Sequence, residues 1–281
     1  MSSTTMTADG IEKNAASKMT GVKLHDTQAA PEKRGIAIDY VGVKNVTFPV
    51  RLKMRDGSVQ HTVGKFNLYV SLPADQRGTH MSRFVEALQA FQKPLDHAGI
   101  LELCESVRSR LHAPSARIQL ECPFFLEKSA PVTGTKGYLD YKANYHVDLN
   151  ESGESVSILG VKVPAKSLCP CSKEISDYGA HNQRSIITTE VKYEGALFIE
   201  DLIEVMENSA SSPLYSLLKR PDEKYVTQAA YENPKFVEDM VRDLALGLDS
   251  DDRVTWYQIS AENFESIHNH EAYAQIERTK A

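Results

Sequence analysis

Two cysteines and a histidine occur close together in one turn-rich stretch of this 281-residue sequence, with Cys169 and Cys171 on either side of Pro170 and His181 shortly after them. Pro170 favours an extended backbone at Cys169, and residues two apart in an extended chain point to the same side, so both thiols can face one pocket. Thiolates and neutral imidazoles are the usual ligands of zinc and related metals, and a thiolate is also a strong nucleophile. The segment is therefore a candidate metal or nucleophile site.

A simpler interpretation of the same stretch stays open. The paired Cys-x-x-Cys knuckles that are typical of structural zinc sites are absent, so a closed four-ligand structural site is not expected. Two half-buried thiols beside a histidine would give the same pattern without binding any ligand.

Three further positions could contribute carboxylate or imidazole groups. Glu223 lies in the charged segment Arg220–Lys224, which we predict to be a loop between helices, and it could supply a third metal ligand. Glu238 lies in a predicted helix. His268 and His270 stand just before the last predicted strand, and because histidines titrate near neutral pH they could act as general acid and base. Each of these groups could equally be a solvated surface residue.

The composition excludes several classes of protein. The net charge is −6, from 32 Lys and Arg against 38 Asp and Glu, which offers no general basic field for nucleic acid. The sequence has no run of about 18 apolar residues, the length that a membrane-spanning helix needs. The N-terminus also lacks the apolar core of a secretory signal. The four cysteines fit a reducing compartment better than a disulfide framework. We therefore expect a cytoplasmic protein without nucleic-acid or membrane partners, with Cys104 and Cys122 in its core.

Two regions precede the cysteine segment. Residues 1–34 are rich in Ser, Thr, Ala, Lys and Asp without sustained periodicity, which predicts a flexible arm. Residues 35–151 form a first module, in which Asp56-Gly57 marks a hairpin turn and Ser82 can cap a helix. Hydrophobic periodicity predicts the order ββααββ for this module, with elements near 36–54, 59–72, 82–94, 97–111, 118–126 and 139–149.

The same order recurs in a second module over residues 152–281, which carries most of the candidate site residues. Its elements are predicted near 155–166, 184–193, 199–208, 234–246, 253–261 and 272–277. The fold class is therefore α+β, with two tandem ββααββ modules whose antiparallel sheets carry their helices on one face. Each sheet of about four strands leaves open edges, so we expect subunits to associate into multisubunit barrels with active sites at subunit junctions.

The motifs of the commonest nucleotide and hydrolase sites are absent. The sequence contains no Walker loop, no strand-linked Gly-x-Gly-x-x-Gly and no Gly-x-Ser-x-Gly elbow. A nucleotide would therefore have to bind by other means.

The cysteine segment and its surroundings resemble the signature of the type IB GTP cyclohydrolases. The resemblance rests on Ser167-Leu168-Cys169-Pro170-Cys171-Ser172-Lys173 and Gly179-Ala180-His181-Asn182-Gln183-Arg184-Ser185. It runs from about residue 35 to the C-terminus, and it is supported by Gly78–Phe84, Arg220–Glu223, Phe236–Asp239 and His268–Glu271. It implies the tunnelling fold, a homotetramer whose sheets form barrels, and GTP as substrate. The implied reaction opens the imidazole ring of GTP at C8, releases formate and yields 7,8-dihydroneopterin triphosphate, the entry step of folate synthesis.

The resemblance also implies roles for individual residues near the reacting atoms. Cys169, His181 and Glu223 would bind one divalent metal per active site and leave a coordination position for water. This mixed ligand set suits zinc and also tolerates manganese or iron. His268 or His270 would deliver a proton, and Cys171 would serve in proton transfer or positioning.

Substrate-binding residues follow from the same resemblance. Glu238 would accept hydrogen bonds from the N1–H and the exocyclic amine of guanine, a two-point contact that adenine cannot reproduce. The triphosphate requires cations, and the candidates are Arg184, Lys173, Arg83 and Lys65. The sequence leaves open which of these cations converge.

Two rival functions stay open on the sequence alone. One is a related metal-independent enzyme that reduces a nitrile on a deazaguanine with NADPH, in which Cys169 would be the covalent nucleophile. The other is a non-catalytic purine-binding oligomer whose thiols hold a structural metal.

Overall fold

One continuous antiparallel sheet runs through the computed structural model, which describes residues 26–28 and 30–280. The strand order is β1-β2-β3-β4-β5-β6-β8-β9, and the short strand β7 pairs with β5 beside this path. The strands in the described residues are β1 (Ile38–Lys53), β2 (Val59–Leu72), β3 (Ala116–Ser129), β4 (Lys136–Leu149), β5 (Ser155–Leu168), β6 (Asn182–Tyr193), β7 (Ser212–Pro213), β8 (Val254–Asn263) and β9 (Ala272–Thr279).

The two halves of the chain share this sheet instead of forming two separate sheets as the sequence suggested. Strands β4 and β5 pair from Leu149 opposite Ser155 to Lys142 opposite Lys162. This pairing leaves neither half with an open sheet edge at β4 or β5, because the backbone N–H and C=O groups of the two strands bond to each other. The predicted boundary between the modules at residues 151 and 152 falls in the turn that joins these two strands. The division into two domains itself stays a prediction.

All four predicted helices are present, and two additional helices occur in the second half. The helices in the described residues are α1 (Met81–Ala90), α2 (His97–Leu111), α3 (Pro170–Ile175), α4 (Ile199–Asn208), α5 (Arg220–Glu232) and α6 (Val237–Asp249). The predicted cap at Ser82 is wrong, because His80 is the N-cap of α1 and Ser82 lies within the helix. The predicted loop at Arg220–Lys224 is also wrong, since this segment is the first turn of α5.

The core lies between the helices and one face of the sheet. Side chains alternate between more and less buried positions along β2 and β4, as a half-buried sheet requires. The helices cover the apolar face, so the fold class predicted from the sequence, α+β with helices on one face, is confirmed. Cys104 and Cys122 are buried in this core, and burial raises the pKa of each thiol to about 12. Both are free cysteines that pack as small apolar residues.

Part of the predicted N-terminal arm can be located. Residues 1–25 and residue 29 lie outside the described residues, so the flexible arm over 1–34 stays a prediction. Pro31 forms a bridge with Gln76, and the side chain of Gln28 donates to the carbonyl of Thr79 at 2.9 Å. Within the described residues, no helix is long and apolar enough to cross a membrane.

Candidate functional site

The thiol of Cys169 lies where strand β5 ends and helix α3 begins. Pro170 occupies the first turn of α3, where its missing N–H costs nothing, and Cys169 is the extended N-cap with φ −70° and ψ 119°. Its Sγ accepts a weak hydrogen bond from the backbone of Ser172 at 3.5 Å, and the residue is half-buried. Cys171 lies within the helix and is exposed, so the extended backbone that we predicted for this segment holds at Cys169 but not at Cys171.

The loop after α3 folds back and places His181 beside Cys169. The backbone N–H of Cys169 donates to the carbonyl of His181 at 3.1 Å. Ser172 closes the same loop, because its Oγ accepts from the backbone of His181 and donates to the carbonyl of Cys169, both at 3.1 Å. The spacing in the sequence thus corresponds to a local loop that brings the backbones of Cys169 and His181 together.

The imidazole of His181 is oriented by Gln183 and Glu265. Its Nδ1 lies 3.0 Å from Oε1 of Gln183 and 3.6 Å from Oε2 of Glu265. The amide of Gln183 is oriented in turn, since its Nε2 donates to Oγ of Ser167 at 2.8 Å and lies 3.5 Å from Oε1 of Glu265. We therefore assign the proton of His181 to Nδ1, because amide and carboxylate oxygens only accept there. The Nε2 lone pair is left available for a ligand.

A row of buried, hydrogen-bonded polar side chains on the sheet holds Gln183 in place. Oγ of Ser185 lies 3.0 Å from Oγ of Ser167 and donates to Oδ1 of Asn263 at 2.6 Å. The three residues lie on β5, β6 and β8 and are at most 2% exposed. Since buried polar groups require partners, this row gives Gln183 a single stable orientation.

Glu223 is carried by helix α5, which contacts β5 and β7. Its carboxylate is exposed in the first turn of the helix. The helix is tied to α3 by Lys173, whose Nζ donates to the carbonyl of Tyr231 at 2.5 Å and lies 4.4 Å from the centre of its ring. Among the described residues, no three His, Cys, Asp or Glu side chains lie close enough together to hold a metal ion. The structure therefore joins Cys169 and His181 through their backbones and carries Glu223 on the neighbouring helix.

The chemistry of these three donors fits a divalent metal. With its Nδ1 proton bonded to Gln183, His181 offers Nε2 as a donor; Cys169 has a thiol whose one hydrogen bond is weak, and Glu223 has an exposed carboxylate. Nitrogen, sulfur and oxygen donors of this kind suit zinc, manganese or iron.

Glu238 lies at the same end of the sheet as Cys169. It is exposed in the first turn of α6, whose N-cap is Phe236. The backbone of Lys235, just before this helix, donates to the carbonyl of Leu168 at 3.0 Å. The start of α6 is thus bound to the residue that precedes Cys169.

His268 and His270 lie in the loop between β8 and β9, which also carries Glu265. Their rings stack with centroids 5.0 Å apart, and both residues are exposed. The loop starts next to β6, because the backbone of Phe264 donates to the carbonyl of Arg184 at 3.0 Å. The two histidines are therefore carried on the same loop as a carboxylate that contacts His181.

The four basic side chains that were predicted to bind the triphosphate do not lie together within one chain. Arg184 lies directly opposite Lys166 on β6 and β5, and both side chains leave the sheet on the face opposite to Ser167 and Gln183. Lys65 lies on β2, three strands away from β5.

Arg83 and Lys173 are placed differently again. Arg83 lies on α1, which packs on α2 and β1. The ammonium of Lys173 already bonds to Tyr231.

Several residues near the candidate site carry no signal in the sequence that predicts a role. Gln183 stands inside the recognised motif, but nothing in its spacing indicates a partner role. Glu265 is far from His181 in sequence and lies in an irregular loop without periodicity. Lys166 is half-buried, burial lowers its pKa, and its ammonium has no hydrogen-bond or ion-pair partner within the described part of the chain. Only the pairing of β5 with β6 brings it opposite Arg184.

Comparison with solved structures defines the class of fold. The uricase from Arthrobacter globiformis superposes with a TM-score of 0.52 at 8% sequence identity, covering 86% of this chain and 95% of the uricase. The antiparallel sheet with its helices on one face is thus the tunnelling fold.

Sequence comparison identifies the family within this fold. Residues 24–274 match the family described as type I GTP cyclohydrolase folE2. GTP cyclohydrolase FolE2 of Geotalea uraniireducens is 49% identical over 257 residues, which cover 92% of this chain and 94% of the relative. The protein of the same name from Nitrosococcus oceani is 50% identical over 257 residues, covering 92% and 96%. The chain belongs to the type I GTP cyclohydrolase folE2 family, which confirms the resemblance recognised in its motifs.

Proposed function

We propose that this chain is a GTP cyclohydrolase I, which opens the imidazole ring of GTP at C8, releases formate and forms 7,8-dihydroneopterin triphosphate for tetrahydrofolate synthesis. The observation that carries the proposal is the family match over residues 24–274, which spans the whole site described above. The cytoplasmic location predicted from the free cysteines is part of the same proposal.

Cys169, His181 and Glu223 would hold one divalent metal per site. The metal would supply Lewis-acid chemistry that activates a water for attack on C8 of the purine. Gln183 and Glu265 support this role, since their contacts with Nδ1 leave Nε2 of His181 available as a metal ligand.

The remaining groups bind the purine and move protons. Glu238 would accept the N1–H and the amine of guanine, which selects guanine over adenine. A protonated ring nitrogen of His268 or His270 would donate to the purine as the ring opens. Cys171 is exposed one residue into α3 and would assist in proton transfer or positioning.

The triphosphate would be bound by cations from more than one subunit. Arg184, with Lys166 opposite it, leaves the sheet on the face opposite to Gln183, so it would contact a triphosphate that lies on that face. Lys65 and Arg83 are distant from Cys169 within one chain and would reach a site only from a neighbouring subunit. Lys173 would have to leave the carbonyl of Tyr231 to contribute.

A homotetramer with active sites at subunit interfaces fits the surface around Cys169. Large apolar side chains are exposed on the elements that surround the site, and such patches are typical of association surfaces. They include Ile175 (78% exposed), Tyr178 (100%), Phe264 (45%) and Ile267 (64%). The outer strands β1 and β9 also leave the sheet with free edges.

The decisive experiment incubates the purified protein with GTP and added Mn²⁺, oxidises the mixture and measures neopterin fluorescence. The control contains a chelator. We expect a signal that the chelator abolishes. Absence of product with manganese, zinc and iron would contradict the proposal and direct the next assay to NADPH-dependent reduction of a deazaguanine nitrile.

A further inference from the structure

The first turn of helix α5 is held by a residue that the proposed mechanism does not use. Asp222 directly precedes Glu223 and is completely buried, with 0% of its surface exposed, whereas Glu223 is exposed. A buried carboxylate is stable only when its oxygens are well bonded. Its partners therefore show what fixes this part of the helix.

Four hydrogen bonds saturate the carboxylate of Asp222. Its Oδ1 accepts from the backbone N–H groups of Val132 at 2.9 Å and Thr133 at 2.8 Å. Its Oδ2 accepts from Oγ1 of Thr133 at 2.7 Å and from the backbone of Lys219 at 2.9 Å. Lys219 is the N-cap of α5, so one carboxylate both caps the helix and binds the turn between β3 and β4.

The turn between β3 and β4 is itself well fixed. It closes through hydrogen bonds from Ala130 to the carbonyl of Thr135 at 2.9 Å and from Gly134 to the carbonyl of Ala130 at 3.0 Å. Nearby on β3, Nζ of Lys128 donates to both oxygens of Glu207 at 2.7 and 2.8 Å. The hairpin from the first half of the chain is thus a firm support for α5.

We infer that Asp222 is a positioning residue for Glu223, and that the β3–β4 turn is part of the scaffold of the metal site. The inference rests on the proposed function, in which Glu223 is a metal ligand. Glu223 has no fixed contact of its own side chain among the described residues, so the position of its backbone sets where its carboxylate can reach. Asp222 fixes that backbone against the first half of the chain.

The test measures Mn²⁺ binding to the metal-free full-length protein by calorimetric titration. Asp222→Asn keeps the shape of the side chain but replaces one acceptor oxygen by an NH₂ group. We expect its affinity for Mn²⁺ to fall about 10-fold or more, the range found when groups that orient a metal ligand are removed. Thr133→Val removes one donor to Asp222 without touching α5, and we expect a loss of about threefold in the same direction.

Asp201→Asn is the matched control. Asp201 occupies the equivalent position in the first turn of α4 and accepts from the backbone of its N-cap Phe198 at 3.2 Å. We expect this variant to lower the melting temperature and to leave Mn²⁺ affinity within about twofold of the parent, because α4 carries none of the proposed ligands.

Two outcomes separate this inference from the proposed function. If Glu223→Gln weakens Mn²⁺ binding while Asp222→Asn and Thr133→Val do not, Asp222 is only a structural residue and the inference is overturned. If Glu223→Gln binds Mn²⁺ like the parent protein, the proposed ligand set fails and the inference fails with it. Should Asp222→Asn not fold, the result for Thr133→Val decides.

Discussion

The orientation of His181 depends on contacts that are distant in sequence. Gln183 accepts from Nδ1 of His181, and Glu265 approaches both residues from the loop after β8. A metal-binding histidine typically donates its second ring N–H to such a partner, which fixes the tautomer. At the scale of single residues, the site is therefore a thiol and an imidazole with a supporting amide and carboxylate.

Replacement of Gln183 by Leu should weaken metal binding. The change removes the acceptor of the Nδ1 proton, so His181 can turn or change tautomer, and we expect about a 10-fold loss of affinity for Mn²⁺. Calorimetric titration of the metal-free protein measures this. Gln119→Leu is the control, because Gln119 bonds to Asn67 on distant strands. Equal affinities of Gln183→Leu and the parent would contradict the assigned tautomer.

Substitution of the three proposed ligands should separate catalysis from folding. We expect Cys169→Ala, His181→Ala and Glu223→Ala each to lose bound metal and neopterin formation while the oligomer persists, because the three side chains lie at the end of the sheet and not in its core. Metal analysis and sedimentation give the two readouts. Cys104→Ala, in the buried core, should keep the metal. Loss of assembly in all three ligand variants would favour a structural metal.

Glu238→Gln should weaken guanine recognition without loss of metal. The amide has one acceptor oxygen and no charge, so it cannot accept the N1–H and the exocyclic amine on two separate oxygens. Hydrogen bonds to charged groups contribute about 1.5–3 kcal/mol, so we expect KM for GTP to rise about 10- to 100-fold. Steady-state kinetics and metal content measure the two effects. Glu232→Gln, exposed at the end of α5, should behave like the parent. Unchanged kinetics in Glu238→Gln would refute the anchoring role.

At the scale of elements, strand periodicity was the most reliable signal. The alternation over Ile118–Leu126 and Leu139–Leu149 predicted β3 and β4, because one face of each strand packs on α2 and the other faces away from the core. Helix α5 was missed because Lys219 is a poor N-cap by residue type, and its cap is provided by Asp222 together with a distant turn. A helix start that depends on tertiary contacts leaves little trace in the local sequence.

Close packing of β2 against its neighbours predicts a large effect of a small substitution. A Cβ at Gly64 would overlap Cδ1 of Leu120 and would lie 2.7 Å from Cγ2 of Val50, and both residues are buried. We expect Gly64→Ala to lower the free energy of unfolding by about 1–3 kcal/mol through overpacking. Urea denaturation measures it. His61→Ala, at an exposed position of the same strand, should change stability by about 0.5 kcal/mol or less. Similar values for both variants would show that the sheet adjusts without strain.

At the scale of the whole molecule, the two halves are joined by more than the sheet. His97 at the start of α2 contacts Tyr193 at the end of β6, with Nδ1 2.9 Å from the phenolic oxygen. Arg55 of the first hairpin pairs with Asp201 and Glu204 of α4 at 3.0 and 3.2 Å. Because these contacts join the two halves, we expect the halves to unfold together.

The buried contact of His97 predicts a pH dependence of stability. Burial lowers the pKa of His97 below its ordinary value of 6.5, so the unfolded chain takes up the proton first as the pH falls. The stabilising contribution is therefore complete above about pH 6.5 and is lost as the pH falls through the folded-state pKa. Urea denaturation from pH 8 to pH 5 measures this, and the decline should be shallower in His97→Gln. An identical decline in both proteins would exclude His97 as its source.

A second loss of stability is expected in stronger acid. Burial alone would raise the pKa of Asp222, yet the hydrogen bonds from Thr133, Lys219 and Val132 lower it well below its usual value. Its contribution is present above the unfolded-state value of 3.8 and is lost below it as the carboxylate is protonated. The loss of stability caused by protonation of His97 and the loss caused by protonation of Asp222 should thus occur in separate pH ranges.

The sequence by itself determined the fold class and the family, and it predicted a candidate site at Cys169 and His181. These depend on local properties: the alternation of apolar residues, the backbone preference before Pro170, and motifs with short spacing. It also indicated Glu223, Glu238, His268 and His270 as separate candidates, whose roles stay predictions.

Only the tertiary structure decided how distant segments meet. The joining of two predicted sheets into one, the support of His181 by Glu265, the placement of Lys166 opposite Arg184, and the attachment of α5 to the β3–β4 turn all depend on strand register and on contacts between residues far apart in the chain. Polar groups that become buried on folding need hydrogen-bond partners, and the fold determines which groups lie close enough to serve. The order of residue types along the chain does not specify which distant residue becomes the partner.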